Sequence, residues 1–129
     1  GSLEGQSSMK AGDICSHGPI SVQKDEKLHK AIDVMRDNSI SQIPVFDSSR
    51  VVGILTEDGL AKVMLEKDEK DVRNMQIFQA MEPPPPIVDV STPAKALIPL
   101  VRFAKCILVS QKGNVIGIVT TTDTLKMVE

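Results

Sequence analysis

The sequence is poor in the groups that most often carry chemistry. Its 129 residues include two histidines, two cysteines, three phenylalanines and neither tryptophan nor tyrosine. Two cysteines, Cys15 and Cys106, cannot build the disulfide framework of a small secreted domain. Each lies beside apolar residues and reads as a small buried hydrophobe. The stretch "CSH" sets His17 two residues from Cys15, but Cys106, His29 and the carboxylates complete no metal-ligand spacing, so no metal is expected. Scarce aromatics remove the stacking platforms that single-stranded nucleic acid requires. Neither sign of charge dominates: the net charge is −2, and runs such as "EKDEKDVR" (66–73) interleave the two, so neither nucleic acid nor a membrane surface is an expected partner. Apolar runs such as "ALIPLV" (96–101) are far shorter than a membrane span, and no signal segment opens the chain, so a cytoplasmic location is expected. The opening "GSLEGQSS" reads as an added leader; residues 1–8 are set aside and the natural chain is taken from Met9. No nucleophile-plus-base set, "GxxxxGK" phosphate loop or pair of metal carboxylates occurs, and His29 reads as partly exposed beside a helix stripe. No catalytic residue is assigned, and an enzyme is not expected.

What is present is an ordinary globular composition, 41% apolar and 25% charged, and one unit written twice. From Pro19, "PISV" (19–22) is β-prone. A helix follows in "DEKLHKAIDVMRDN" (25–38), where Leu28, Ala31, Ile32 and Met35 take the spacing of one buried face and Asp25 is placed to cap. "SQIPVFD" (41–47) and "VVGILT" (51–56) read as hairpin strands around the turn "DSSR", with Pro44 best suited to a strand edge. A second helix carries Leu60, Val63 and Met64 inward. From Pro85 the order repeats: "PPIVDV" (85–90), then a helix in "STPAKALIPLVRFA" (91–104) with Thr92 as cap. Ala94, Leu97, Ile98 and Val101 form its inward stripe. Pro99 should kink that helix at a cost of about 3 kcal/mol. Strands "KCILVS" (105–110) and "VIGIVT" (115–120) follow, and "TTDTLKMVE" (121–129) starts a last helix with Leu125 and Val128 inward. Between the copies, 64–86 reads as a solvated helix end, a short helical turn with Met75 and Phe78, and an extended run of four prolines. The expected division is 9–70 and 71–129, two small units that must pack together to bury enough surface.

The motifs "GILTEDGL" (53–60) and "GIVTTTDTL" (117–125), each after a strand at the same place in its repeat, resemble those of a tandem pair of cystathionine-β-synthase-type (CBS) domains, a Bateman module. The resemblance covers about Lys10 to Val128. It implies an α/β fold of two β-α-β-β-α repeats about a pseudo-two-fold axis, with two clefts between the sheets. It further implies a regulatory sensor of adenosine-containing ligands (AMP, ADP, ATP, S-adenosylmethionine, sometimes NAD), with no required cofactor, working as a homodimer on another protein that the sequence does not identify. The alternative is a ligand-free dimerisation scaffold.

Physical chemistry supports the ligand reading. In "T-x-x-D" at a strand-to-helix junction, first-turn N–H groups favour a phosphate, and the carboxylate accepts from a ribose diol. The same pattern is also a helix-capping box. The better site is expected at Thr120 and Asp123, with Ile87, Val88, Lys105, Cys106, Ile107, Ile118 and Val119 around it and Lys105 placed to reach a phosphate. The weaker site is expected at Thr56, with Ser21, Ser39, Ile40, Ile43 and Pro44. There Gly59 replaces the aspartate, and Asp58, one residue early, points about 100° away. Ser39 stands where the family often has glycine.

Overall fold

The computed structural model describes residues 8–128. The first repeat runs β2 (Val22–Gln23), α2 (Leu28–Asn38), β3 (Gln42–Asp47), β4 (Arg50–Thr56) and α3 (Glu57–Glu66), and it is preceded by α1 (Ala11–Ile14) and β1 (Ser16–His17). After α4 (Glu69–Asn74) and a 3₁₀ turn (Ile77–Gln79), the second repeat runs β5 (Ile87–Asp89), a 3₁₀ turn (Ala94–Ala96), α5 (Leu97–Ala104), β6 (Cys106–Gln111), β7 (Asn114–Thr120) and α6 (Thr121–Thr124). This is the twofold β-α-β-β-α order expected from the sequence. One sheet has the order β2-β3-β4 and the other β1-β7-β6-β5. In both, the repeat's first strand pairs parallel to the second, and the second and third form an antiparallel hairpin.

In sequence the repeats divide near residue 70; in space the chain divides differently. One compact unit is Ile20–Pro84, and the other joins the segment up to Pro19 to everything from Pro85 onward. Backbone hydrogen bonds explain the division. The stretch after α3 folds back on the first repeat, where the Leu28 N–H donates to the Met75 carbonyl at 2.8 Å and the Ile77 N–H to that of Glu26 at 2.9 Å. The N-terminal stretch instead joins the second repeat: Ala11 and Gly12 donate to Thr92 and Val90, and β1 pairs antiparallel with β7.

Each unit closes over its own core. In Ile20–Pro84, Leu28, Ala31 and Met35 of α2 meet Ile43 and Val45 of β3, Leu55 of β4, Leu60, Val72, Met75 and Ile77. In the other unit, Ala11 and Ile14 meet Ala94, Leu97, Val101, Ile107, Val109 and Val119. Several local expectations change. Helix α2 starts after Lys27 with no side-chain cap, so Asp25 does not cap it; Glu26 instead accepts from the Gln23 N–H at 3.0 Å. Pro93, not Thr92, precedes the 3₁₀ turn, and α5 begins only at Leu97. Pro99 therefore lies in the first turn of α5, where an N–H has no intrahelical partner to lose, and the expected penalty does not arise. Met64, Ile98, Leu125 and Val128 are exposed, not inward. For Leu125 the reason is that the last helix gives way to a 3₁₀ turn, which rotates the expected face.

Pro44 sits inside the middle strand of its sheet, yet it costs no ladder bond. It faces Ile54, whose N–H and carbonyl both bond outward to Glu82, so the pair is a non-hydrogen-bonded one. On Pro44's other side β2 begins pairing only at Val45. The equivalent Leu108 does use that direction, donating to the Pro86 carbonyl at 2.9 Å.

Candidate functional site

The repeated glycines of "GILT" and "GIVT" mark places where another segment crosses the hairpin. A Cβ at Gly117 would meet the Cys15 Sγ at 2.6 Å and the Ser16 carbonyl oxygen at 3.0 Å. A Cβ at Gly53 would meet the Met81 Sδ at 2.6 Å and the Glu82 carbonyl oxygen at 2.7 Å. In register, Ser16 lies opposite Ile118, and Glu82 opposite Ile54, each two residues before the motif threonine. Ser16 and Glu82 are thus equivalent, and each stands three residues before the proline that opens a repeat, Pro19 and Pro85. Neither residue is part of the motif as read from the sequence; the shared distance to those prolines is the signal that marks them.

At the second motif, Thr120 ends β7 and precedes α6. Asp123 is 5% exposed, the one buried charged side chain among the described residues. Its Oδ2 accepts from the Thr120 N–H at 2.9 Å and lies 3.4 Å from the Thr120 hydroxyl; its Oδ1 accepts from the Ser16 hydroxyl at 3.0 Å and the Lys126 Nζ at 2.9 Å. Burial pushes this carboxyl up, but the bonds from Lys126, the Thr120 N–H and Ser16 outweigh it and hold the group below its ordinary range. Asp123 is therefore an ionised carboxylate with both oxygens engaged. Lys126 also donates to the Ile14 carbonyl at 3.0 Å, so it ties the last turn to the N-terminal segment.

Strand alternation sorts the other expected residues of this site. Across the hairpin, Cys106 pairs with Thr120 and Leu108 with Ile118, and Ile87 joins them beside Leu108. These residues share one sheet face. Ile107 and Val119 face the core and are fully buried, and Val88 packs against the same core. Ile107, Val119 and Val88 do not line a mouth at Thr120, because a period of two sends them to the other side. Lys105 is exposed and ends α5 at φ 70°. Cys106 is buried, which pushes its thiol up to about 11 and makes it a poor nucleophile. Burial likewise raises the Cys15 thiol, which contacts the His17 ring at 3.5 Å. Among the described residues no group of three or more His, Cys, Asp or Glu is arranged to hold a metal ion.

The first motif is built differently. Thr56 caps α3, its Oγ1 accepting from the Gly59 N–H at 3.0 Å and donating to the Glu82 Oε2 at 2.8 Å. Ile43 is fully buried in the core and so leaves the expected site, whereas Pro44 lies on the Thr56 face. Ser21, exposed, precedes β2 at the position that Ile87 takes in the second repeat. Ser39 ends α2 in the left-handed conformation (φ 53°), which glycine adopts at least cost. Ile40 lies with Ile32, Met35, Leu60 and Met64 along a groove of about 340 Å³ between α2 and α3 that Glu57, next to Thr56, also lines. Asp58 is exposed in the first turn of α3.

Comparison with known proteins places this arrangement. Residues 11–66 and 72–129 each match the CBS domain. The chain is 32% identical over 124 residues to an inosine-5'-monophosphate dehydrogenase of Methanocaldococcus jannaschii, covering 94% of this chain and 24% of that one. It spans about a quarter of the length of the curated relatives it matches. Its fold matches a CBS domain-containing protein of unknown function from Bacillus anthracis, with a TM-score of 0.85 and 20% identity over 97% of this chain and 96% of that one. It also matches the CBS domain of a bacterial CNNM/CorC family Mg2+ transporter in complex with ATP, with a TM-score of 0.81 and 19% identity over 98% and 92%. Among the described residues, no helix is long and apolar enough to cross a membrane. With both repeats matched and the whole hairpin-and-helix order present, the chain belongs to the CBS-domain family, as a CBS-domain pair.

Proposed function

We propose that this CBS pair is a cytoplasmic regulatory module that senses an adenosine-containing ligand, AMP, ADP, ATP or S-adenosylmethionine, chiefly through Thr120 and Asp123. The observation that carries this reading is the state of Asp123. Its carboxylate is held ionised in the first turn of α6, and its Oδ1 is occupied by two donors on exposed residues, the Ser16 hydroxyl and the Lys126 ammonium. A ribose diol presents the same two-donor pattern and can take their place. Lys126, released from Asp123, is then a cation for a phosphate. Ile87 and Ile118, which keep exposed surface, supply the apolar wall that an adenine needs on the same sheet face as Thr120, with Leu108 buried between them. The ATP complex of the transporter CBS domain supports a nucleotide for this fold.

The module is not a catalyst in this reading: burial raises both thiols, the one beside His17 included, so neither is a ready nucleophile. It acts as a homodimer on another protein, and the exposed Leu65 and Phe103 are surfaces for a second copy to cover. One observation favours the scaffold alternative, in which the motif binds nothing. Thr120 and Asp123 already form a capping box, and every acceptor position of the carboxylate has a protein donor.

Thermal unfolding against AMP, ADP, ATP, S-adenosylmethionine and NAD decides between them. A ligand at a hundred times its dissociation constant adds about 2.7 kcal/mol, which raises the midpoint of a domain this size by about 5–15 °C. The expected outcome is such a rise with one ligand and none in Asp123→Ala, each protein being compared with its own ligand-free midpoint. No rise with any of the five at millimolar concentration leaves the scaffold.

A further inference from the structure

We propose that Glu82 is the ribose-binding carboxylate of the first repeat, doing there from the crossing segment what Asp123 does in the second repeat from the helix. This rests on the sensing function above and extends it to a second mouth. The two repeats compare position by position. Ser16 and Glu82 are equivalent by register, by their approach to Gly117 and Gly53, and by their distance from the opening prolines. Asp123 and Gly59 are equivalent as the third residue after the motif threonine. The second repeat thus pairs a serine on the crossing segment with an aspartate on the helix, and the first pairs a glutamate with a glycine. A Cβ at Gly59 would lie 3.6 Å from both Cδ and Oε2 of Glu82. The Glu82 carboxylate therefore occupies the space into which an aspartate at 59 would project, and it accepts from the motif threonine, as Asp123 does.

The two carboxylates differ in what remains available. Asp123 is buried with donors on both oxygens. Glu82 is exposed, and among the described residues the hydrogen bond to its carboxylate is the one from Thr56, which leaves Oε1 open to a diol. The surroundings define the ligand's charge. Glu57 follows Thr56, the Glu57 N–H already donates to the Ser41 carbonyl at 3.0 Å, and the Gly59 N–H donates to Thr56. Two first-turn donors that would meet a phosphate, at Glu57 and Gly59, are spent, and the exposed Glu57 and Glu82 carboxylates repel it. The class that fits is a ribose diol on a neutral or cationic ligand: adenosine itself, or an adenosyl sulfonium.

Titration calorimetry of the full chain with adenosine, with ATP as the phosphorylated comparison, tests this. The variants are Glu82→Ala, Asp123→Ala and the exchange Gly59→Asp with Glu82→Ser, which rebuilds the second repeat's arrangement in the first. The expected result is two adenosine sites in the unaltered chain. One of these weakens at least about tenfold in Glu82→Ala, the other in Asp123→Ala, and the exchange restores the first. Since the Glu82 backbone pairs with Ile54 whatever its side chain, the variant keeps its fold, checked by its melting curve. A single site, lost in Asp123→Ala and untouched in Glu82→Ala, overturns the role of Glu82 and leaves the sensing function standing. No binding of either compound to the unaltered chain overturns both.

Discussion

The two repeats share a backbone and differ in where they keep one carboxylate. In both, a short segment crosses the last hairpin strand at a glycine and reaches the threonine that starts the following helix. At Thr120 the acid comes from the helix and is buried; at Thr56 it comes from the crossing segment and is exposed. The lesson is that the motif fixes a place in space, not the residue that fills it. The same place is a tie in one repeat, where Asp123 binds Ser16 and Lys126 and so holds the N-terminal segment to the sheet. In the other it is an accessible group, and the crossing segment is held there by its own backbone bonds to Ile54.

The feature common to both repeats should break most severely. Gly53→Ala and Gly117→Ala each place a methyl inside contact distance of the crossing segment, at 2.7 Å from a backbone oxygen in the first and 3.0 Å in the second. Both should lower the unfolding free energy in urea by about 1–3 kcal/mol, the range for overpacking. Gly53→Ala should be the more costly, since all three of its nearest atoms, one of them backbone, lie below 3.0 Å, whereas at Gly117 only the Cys15 Sγ does, and that side chain can turn aside. Equal and negligible effects would mean that the crossing segments do not stay on their strands in solution.

A sharper contrast comes from removing the two acids. Asp123→Ala deletes a helix cap and leaves the Ser16 hydroxyl and Lys126 without their acceptor, which should cost about 1–3 kcal/mol. Glu82→Ala removes an exposed acceptor from one hydroxyl and should stay within about 0.5 kcal/mol. Urea unfolding of both variants checks the difference. Similar losses would show that the two carboxylates serve the same structural purpose and that their difference in burial has no consequence.

Most of the fold was legible because it rests on local periodicity. Leu28, Ala31 and Met35 at helical spacing, the strand pairs 41–47 with 51–56 and 105–110 with 115–120, and the duplication itself all come from short windows. The site was legible only in part, for two physical reasons. Alternation along β6 and β7 decides which of Cys106, Ile107, Ile118 and Val119 face Thr120, and assigning whole strands to a site ignores it. The partners of the two threonines come from far along the chain, Ser16 for Asp123 and Glu82 for Thr56, and no local pattern brings such residues together. Gly59 as a missing acid was legible from the motif alone; the Glu82 carboxylate that lies beside it, from another segment, was not. Likewise, the penalty expected of Pro99 depended on a helix start that the 3₁₀ turn at Ala94–Ala96 shifts by several residues.

The smallest expected effect separates charge from shape at the buried acid. Because the Asp123 carboxyl is held below its ordinary value of 3.8, its ionised form is favoured in the folded chain relative to the unfolded one. That contribution is fully present above the unfolded value and is lost as pH falls through the lower, folded one. The stability gap between the unaltered chain and Asp123→Ala should therefore hold steady from neutral pH to about 5 and narrow below about 4. A protonated Asp123 is a poor acceptor for the Lys126 ammonium, yet it still fills the capping position at Thr120. The part of the gap that survives at low pH measures the cap, and the part that vanishes measures the charge that ties the N-terminal segment. A gap that stays constant through pH 3 would assign the whole effect to the cap and leave Lys126 and Ser16 as bystanders.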